Sequence, residues 1–391
     1  MRFSNRVGRI SESATMAVTA EAARLKREGV DVVALGAGEP DFPTPDNIKR
    51  AGIQAIHDDF TRYTAAGGIP ELKEAIVAWH GREFRTNYGP QECIATVGGK
   101  HAIFNFLAAL VDTDDEVILP VPYWVTFFDV INYYGGKPVA VTPSEANGFS
   151  LTVDDVERAI TDRTKVLVVN SPNNPSGAVV AQEEFERILE LTSSQGIILL
   201  SDECYSHFVY NSTPFSIAAA ENARKNVVIA GSLSKTFAMT GWRLGYLLGP
   251  AALISNVNKL QSHATSNPSS IVQKAAIEAL NGPMDAVYAM LEQYRGRREY
   301  VVAALDDIPG VRCPQPNGAF YAYPNIGSSF GRGGVSSSMD FAQKLLREAH
   351  VAIVPGEAFG TSEHIRLSYA ASMEELEEGI RRIRAFITGL P

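Results

Sequence analysis

The stretch NVVIAGSLSKTFAMTGWRLGYLLGP, residues 226–250, decides the fold class of this 391-residue chain. Two apolar runs, NVVIAGS and RLGYLLGP, lie on either side of a segment that carries Lys235. Apolarity that is continuous rather than alternating is typical of strands buried on both faces. The first run ends in two hydroxyl residues, Ser232 and Ser234, and the second begins with Arg243. Two cations and two serines between such apolar runs indicate a bound ligand.

Further short apolar runs of the same kind occur on the N-terminal side of this stretch. Segments with helical period separate several of them, at 99–111, 123–134 and 181–194, and their lengths suit the crossover connections of a parallel sheet. The runs are CIATVGG, EVILPVP, KPVAVTP, KVLVVNSP and IILLSDE. The sequence therefore predicts an α/β fold in which helices wrap a mostly parallel central sheet.

The pattern of apolar and charged residues changes after NGPMD. A charged helical segment at 284–305 leads into the short runs GAFYAYP, VAIVPG and HIRLSYA, which predict a smaller α+β domain. The N-terminal segment has a helical pattern at about 17–28 and little strand pattern, so we expect it to pack on that smaller domain. We predict an N-terminal arm over 1–45, a large domain over 46–282 and a small C-terminal domain over 283–391.

Composition excludes several classes of function. With 35 Lys and Arg against 44 Asp and Glu, the net charge of −9 offers no field that would recruit nucleic acid or anionic lipid. No run approaches the roughly 20 apolar residues of a membrane span. The cysteines Cys93, Cys204 and Cys313 are widely spaced and indicate neither a disulfide framework nor a metal site. These features predict a cytoplasmic protein that acts on small molecules, without nucleic-acid or membrane partners.

Open parallel sheets bind ligands at the carboxyl ends of their strands. Three predicted strand ends carry polar groups: VLVVNSPNNPSG ends near Asn174, IILLSDECY contains Asp202 and Tyr205, and VVIAGSLSK ends in Lys235. Each group alone also fits an ordinary turn, a helix cap or a solvated loop. Together they fit pyridoxal 5′-phosphate, because Asp202 would keep the pyridine nitrogen protonated and Lys235 would form an imine with the aldehyde. Asn174 and Tyr205 would hold the phenolic oxygen.

The phosphate of the same cofactor accounts for the remaining polar groups of the opening stretch. A phosphate is well matched by a bidentate arginine together with hydroxyl donors, which fits Arg243, Ser232 and Ser234. A lysine that bonds an aldehyde must instead be able to lose its proton, which separates the role of Lys235 from that of Arg243. The sequence therefore predicts one cofactor site along residues 232–243.

The chain resembles the class I aminotransferases of the PLP-dependent transferase fold type I superfamily. It is most similar to the bacterial aspartate aminotransferases, on SATMAV (13–18) and GGKHA (98–102). The resemblance implies transfer of an amino group from an L-amino acid, first of all L-aspartate, to 2-oxoglutarate by a ping-pong mechanism. Ordered blocks carry it over nearly the whole chain: LGAGEPDFPTP (35–45), YTAAGGIPELKEAI (63–76), VGGKHAIFN (97–105), PYWVTF (122–127), NSPNNPSGAV (170–179), SDECY (201–205), SLSKTFAMTGWRLGY (232–246), SHATSNPSSI (262–271), GAFYAYP (318–324) and HIRLSYA (364–370).

The resemblance implies cofactor contacts at four further positions. Trp124 is expected to stack on the cofactor ring and to contact the substrate. The backbone at Gly99 and Lys100 is expected to meet the phosphate, where unpaired N–H groups of a helix start favour an anion. Tyr63 is expected to reach the phosphate of a neighbouring subunit. The resemblance thus implies a homodimer with shared active sites.

The resemblance also implies a set of substrate contacts. Arg366 and Gly38 are expected to bind the α-carboxylate, for which a bidentate guanidinium is suited, and Asn174 is expected to contact the substrate as well. From spacing alone, Arg366 in HIRLSYA would equally fit the solvated face of a sheet. Thr15 and Lys100 are expected to contact the distal carboxylate of a dicarboxylate substrate.

Two positions depart from the pattern of the family. His101 stands where Gln is frequent and could alter selectivity, and Ser176 replaces a usual Thr but keeps the hydroxyl. Prephenate or aromatic amino acids remain alternative substrates. Elimination, decarboxylation, racemisation and a non-catalytic PLP-binding sensor remain alternative functions, as does a serine acyl hydrolase, because SLSK also fits the S-x-x-K motif.

Overall fold

The computed structural model describes residue 1, residues 3–11 and residues 14–391, with the backbone alone at positions 14 and 15. The strands are β1 (Val33–Ala34), β2 (Cys93–Thr96), β3 (Glu116–Pro120), β4 (Lys137–Val141), β5 (Thr164–Asn170), β6 (Ile198–Asp202), β7 (Val227–Ser232), β8 (Gly245–Leu248), β9 (Tyr321–Ala322), β10 (Val351–Ala352), β11 (Val354–Pro355) and β12 (Ile365–Ser368). The helices are α1 (Ala14–Arg27), α2 (Asp46–His57), α3 (Pro70–Phe84), α4 (Gly99–Leu110), α5 (Val125–Tyr134), α6 (Val153–Glu157), α7 (Gln182–Ser194), α8 (Leu233–Thr236), α9 (Ala251–Ala264), α10 (Ser270–Asn281), α11 (Asp285–Asp306), α12 (Ser338–Lys344) and α13 (Met373–Gly389).

The central sheet has seven strands in the order β2-β8-β7-β6-β5-β3-β4. Strand β8 is antiparallel to both of its neighbours, β2 and β7, and the other pairs are parallel. Gly245, which begins β8, therefore pairs with Ser232 at the end of β7 and with Thr96 at the end of β2. The prediction of a mostly parallel sheet in an α/β fold is confirmed.

Helices cover both faces of this sheet, which explains why its strands read as continuous apolar runs. In β5, Val166 and Val168 pack with α4, α5 and α9, whereas Leu167 and Val169 pack on the opposite face with α3, α7 and α10. All four side chains are at most 2% exposed. Among the described residues, no helix combines the length and apolarity needed to cross a membrane.

The C-terminal third of the chain forms smaller sheets. Strands β11, β12 and β9 make an antiparallel sheet, and β1 pairs in parallel with β10. Strand β1 thus places residues 33–34 of the N-terminal segment beside β10. The division of the chain at residues 46 and 283 stays a prediction.

Candidate active site

The carboxyl edge of the central sheet presents the Lys235 amine. Strand β7 ends at Ser232 and leads directly into the short helix α8, which carries Lys235. Its Nζ donates a hydrogen bond to the carbonyl of Gly38. Burial lowers the pKa of Lys235, and the positive charges of Arg366 and Arg243 act in the same direction. The amine is therefore easier to deprotonate than a solvated lysine, as a nucleophile requires.

A buried carboxylate lies at the end of the next strand. Asp202 ends β6, is 6% exposed, and accepts a hydrogen bond from the Cys204 backbone N–H to Oδ1 (3.1 Å). Burial raises the pKa of Asp202 to about 7, although the N–H of Cys204 and the charge of Lys235 favour the ionised form. A cationic ring nitrogen beside Asp202 would stabilise the carboxylate that burial disfavours.

Two hydroxyls, two glycines and Arg243 lie close together near Lys235. Ser232 Oγ donates to Ser234 Oγ (2.8 Å) and accepts from the Ser234 backbone N–H (3.1 Å). Helix α4 begins opposite, and a Cβ on Gly99 would lie 3.2 Å from the Cβ of Ser232. A Cβ on Gly98 would overlap the guanidinium of Arg243. The N-terminus of α4, the two hydroxyls and Arg243 thus form a cradle suited to a phosphate.

Arg366 lies in the middle of β12 and is 2% exposed, so it is not on a solvated sheet face. Its Nη1 donates to Asn174 Oδ1 and its Nη2 donates to the carbonyl of Gly36, both at 2.8 Å. The guanidinium also lies 4.5 Å from the ring centroid of Tyr321. Its Nε is buried and has no hydrogen-bond partner among the described residues. A buried guanidinium with an unused donor is stabilised by an anionic ligand such as a carboxylate.

Tyr205 and Tyr321 connect the predicted ring site to Arg366. Their hydroxyl oxygens lie 2.8 Å apart, and both side chains are buried. Burial raises the pKa of both phenols, so each stays protonated at neutral pH. A Cβ on Gly38 would lie 3.2 Å from the Tyr321 hydroxyl. The structure therefore brings Lys235, Tyr205, Arg366 and Gly38 together.

Lys100 and Trp124 form a further pair. The Lys100 Nζ lies 4.8 Å from the centroid of the Trp124 ring. Partial desolvation lowers the pKa of Lys100, and the charge of Arg243 adds to the effect. His101 instead contacts its own helix and the turn before it: Nε2 contacts Asn105 Nδ2 (3.1 Å), and Nδ1 accepts from the Val97 N–H (3.3 Å).

Two predicted contacts are not observed among the described residues of this site. The Tyr63 side chain is 91% exposed, and the Thr15 side chain lies outside the described residues. Ser176 lies in the loop after β5, where its hydroxyl donates to Asn173 Oδ1 (2.8 Å) and accepts from the Ala178 N–H (3.2 Å). The Ser176 hydroxyl, a group that threonine also has, therefore stabilises the turn between Asn173 and Ala178 through these two hydrogen bonds.

Sequence reasoning missed three contributors to the site. Tyr321 contacts Tyr205 and Arg366, Gly36 accepts a hydrogen bond from Arg366, and Asn170 accepts the Asn174 backbone N–H on its Oδ1 (2.8 Å). Asn170 ends a buried strand beside Asp202 in the register of the sheet, so its place at a strand end was the available signal. For Tyr321 and Gly36, no pattern distinguishes them from core and turn residues.

Comparison with known proteins gives the family. Residues 30–383 match the family described as aminotransferase class I and II. The chain is 46% identical over 395 residues to an aspartate aminotransferase of Streptomyces avermitilis, covering 99% of this chain and 97% of the relative. It is 42% identical over 397 residues to an aspartate/prephenate aminotransferase of Nitrosomonas europaea, covering 99% and 100%. The crystal structure of the aspartate aminotransferase from Rhizobium meliloti superposes with a TM-score of 0.95 at 41% identity and covers 100% of both chains.

The chain belongs to the class I and II aminotransferase family. It is a transaminase that depends on pyridoxal 5′-phosphate and has the fold type I architecture expected from the sequence. The site fits this cofactor: a cradle for phosphate at Gly99 and Ser232, a buried carboxylate at Asp202, and a desolvated amine at Lys235.

Proposed function

We propose that the protein is an aspartate aminotransferase that moves the amino group of L-aspartate to 2-oxoglutarate by a ping-pong mechanism. The names of its relatives in Streptomyces avermitilis and Geobacillus stearothermophilus support this donor. The observation that carries the choice is the Lys100 ammonium, whose Nζ lies 4.8 Å from the centroid of the Trp124 ring, beside the proposed cofactor site. Such a cation is stabilised by a second substrate carboxylate, while Arg366 takes the first.

We assign roles to the residues of the site accordingly. The cofactor, when bound, supplies an electrophilic aldehyde and a ring that withdraws negative charge from the substrate α-carbon. Lys235 would hold the cofactor through its aldehyde group, and its free Nζ would accept the α-proton of the substrate. Asp202 keeps a positive charge on the ring nitrogen. Asn174 and Tyr205 hold the phenolic oxygen.

The phosphate and the substrate are held by separate groups of residues. We assign the phosphate to the N–H groups of Gly99 and Lys100, the hydroxyls of Ser232 and Ser234, and the guanidinium of Arg243. Trp124 covers the ring. Arg366, with Gly38 and Asn174, fixes the α-carboxylate, and Lys100 with Thr15 receives the distal carboxylate.

Lys235→Ala tests the assignment of the nucleophile. The variant should retain cofactor in the purified protein, because the phosphate cradle and Asp202 are intact. Its transamination rate should fall by about 100- to 10,000-fold, the range that a positioned proton-transfer group contributes, or further, since the amine also bonds the cofactor. Lys259→Ala, on the exposed side of α9, is the matched control and should keep full activity. Normal turnover by Lys235→Ala would refute the assignment.

A panel of amino donors tests the substrate. With 2-oxoglutarate as acceptor, aspartate should give a higher kcat/KM than phenylalanine, alanine or arogenate. Arogenate is included because several relatives, such as the one in Nitrosomonas europaea, are named aspartate/prephenate aminotransferases. A preference for arogenate or phenylalanine over aspartate would overturn the proposed donor in favour of that alternative.

We also propose that the protein is a cytoplasmic homodimer of two-domain subunits, with Tyr63 reaching the phosphate in the neighbouring subunit. The 91% exposure of the Tyr63 side chain in the single chain supports this placement. A site would then combine Lys235 of one subunit with Tyr63 of the other. Mixing Lys235→Ala protein with Tyr63→Ala protein should form hybrid dimers that contain one intact site and regain activity. Mixtures that show only the summed activity of the two variants would contradict shared sites.

A further inference from the structure

The segment from Gly36 to Thr44, here called the strap, passes directly over the site. The carbonyl of Gly36 accepts from Arg366 Nη2 (2.8 Å), and the carbonyl of Gly38 accepts from Lys235 Nζ. Two cations of the site, Arg366 and Lys235, are therefore hydrogen-bonded to the backbone of one segment. Two glycines within three residues leave this backbone permissive, so contacts elsewhere must fix its position.

The far end of the strap is tied to the cofactor side of the site. Thr44 Oγ1 donates to the carbonyl of Ala238 (2.6 Å) and accepts from Trp242 Nε1 (3.0 Å). Between the two ends, Glu39 Oε2 accepts from Thr240 Oγ1 (2.7 Å). These bonds attach the strap to the loop that follows Lys235. They do not attach it to the C-terminal unit that carries Arg366.

The preceding Leu35 is bonded through its backbone to Ala352 and Ser368, and Asp41 ties the middle of the strap to the same unit. Its Oδ1 accepts from Arg297 Nη1 (2.9 Å) and from the Tyr294 hydroxyl (3.2 Å), both on α11. The Arg297 side chain is 10% exposed, and its guanidinium lies 5.2 Å and 5.5 Å from the ring centroids of Phe42 and Tyr294. A cation so enclosed depends on its carboxylate partner, and loss of that partner leaves a buried charge uncompensated.

We propose that Asp41 is a positioning residue for substrate binding. Its bonds to α11 hold the strap so that the Gly36 carbonyl keeps the Arg366 guanidinium aimed at the substrate α-carboxylate. This inference rests on the proposed role of Arg366. Without this contact the strap keeps its bonds at Glu39 and Thr44 and the backbone bonds of the preceding Leu35, but its middle is no longer tied to α11, and the acceptor of Arg366 is held less firmly. The loss should therefore appear in substrate affinity rather than in the chemical step.

The test compares Asp41→Asn, Tyr294→Phe and the double variant with Asp307→Asn in the holoenzyme. Asp307 follows the same helix, and its exposed pair with Arg384 Nη2 (2.8 Å) does not involve the strap, so Asp307→Asn is the matched control. The donor is whichever amino acid the wild-type enzyme turns over fastest, so failure of aspartate as substrate would not decide this test. Calorimetric binding of succinate, a dicarboxylate without an amino group, gives a readout independent of turnover.

Asp41→Asn should raise KM and the succinate Kd by about tenfold, the effect of losing roughly one charge-assisted hydrogen bond, with kcat within about twofold of wild type. Tyr294→Phe should give a smaller rise. The double variant should be no worse than Asp41→Asn, because the phenol acts through the carboxylate. Asp307→Asn should leave KM and Kd unchanged.

Two results would overturn the proposal. One is an Asp41→Asn enzyme whose KM and succinate Kd match wild type while its melting temperature falls, since that describes a purely structural residue. The other is a double variant in which the losses of the single variants multiply. If Asp41→Asn fails to fold, Tyr294→Phe tests the proposal in its place. The KM of Tyr294→Phe must then rise while the KM of Asp307→Asn stays at the wild-type value, and an unchanged KM for Tyr294→Phe would overturn the proposal.

Discussion

Replacing Asp202 with Asn in the cofactor-free protein should change how the free energy of unfolding depends on pH. Burial raises the pKa of this carboxyl from an ordinary 3.8 to about 7. The folded protein therefore holds a proton more tightly than the unfolded chain does. The resulting stabilisation is fully present below the unfolded pKa and is lost as the pH rises through the folded pKa.

The magnitude follows from the pKa difference. At about 1.4 kcal/mol for each tenfold change in proton affinity, the stabilisation at low pH is about 4 kcal/mol. Between about pH 5 and about pH 8, roughly 3 kcal/mol of it should disappear in the wild type and not in Asp202→Asn. Asparagine keeps the shape of the side chain but does not titrate, so the difference between the two proteins isolates this one group.

Urea unfolding of both proteins at the two pH values measures the effect. With pyridoxal 5′-phosphate bound, a positive ring nitrogen favours the ionised carboxylate, so the contribution of Asp202 to the pH dependence should vanish. Asp307→Asn, whose side chain is 76% exposed, is the control and should follow the wild type. Equal pH dependence in cofactor-free wild type and Asp202→Asn would refute the reasoning.

Three further changes test the rest of the site. Lys100→Ala should reduce kcat/KM for aspartate by about 10- to 100-fold and much less for alanine or phenylalanine, and equal losses across the panel would count against a distal-carboxylate contact. Arg366→Lys keeps the charge but not the fork of donors, so kcat/KM should fall by about 10- to 100-fold for every donor, and a loss confined to aspartate would be inconsistent with this role. Gly98→Ala places a methyl group against Arg243 at a positive φ of 83°, so the Kd for cofactor should rise by about tenfold or more while an unchanged Kd would place the phosphate elsewhere.

Local sequence predicted the elements of the central sheet well, because strands buried on both faces must be apolar throughout. The segments expected as helices at 99–111, 123–134 and 181–194 correspond to Gly99–Leu110, Val125–Tyr134 and Gln182–Ser194. The direction of β8 was not predictable in this way. Its run RLGYLLGP has the same apolar character as the parallel strands of the sheet, and hydrophobic periodicity carries no information on strand direction.

The site was predictable where its residues follow strands and not where distant segments meet. Lys235, Asp202 and Asn174 follow consecutive buried strands, so their convergence comes from the geometry of a parallel sheet. The bond between Asn174 and Arg366 joins residues 192 positions apart, and no local pattern encodes it. From spacing alone, Arg366 also fitted a solvated face; only the resemblance of HIRLSYA to the family pointed to a buried ligand contact.

The antiparallel direction of β8 determines where Arg243 lies relative to Lys235. A strand running parallel to β7 would begin at the opposite edge of the sheet, about 10–13 Å away for four residues, and would carry Arg243 with it. In the observed arrangement, Gly245 lies beside Ser232, so Lys235 and Arg243, the proposed nucleophile and phosphate ligand, are attached to two neighbouring strands. These two cations therefore come from nine consecutive residues, 235–243, whereas the residues proposed to bind the amino acid, Gly38 and Arg366, come from opposite ends of the polypeptide.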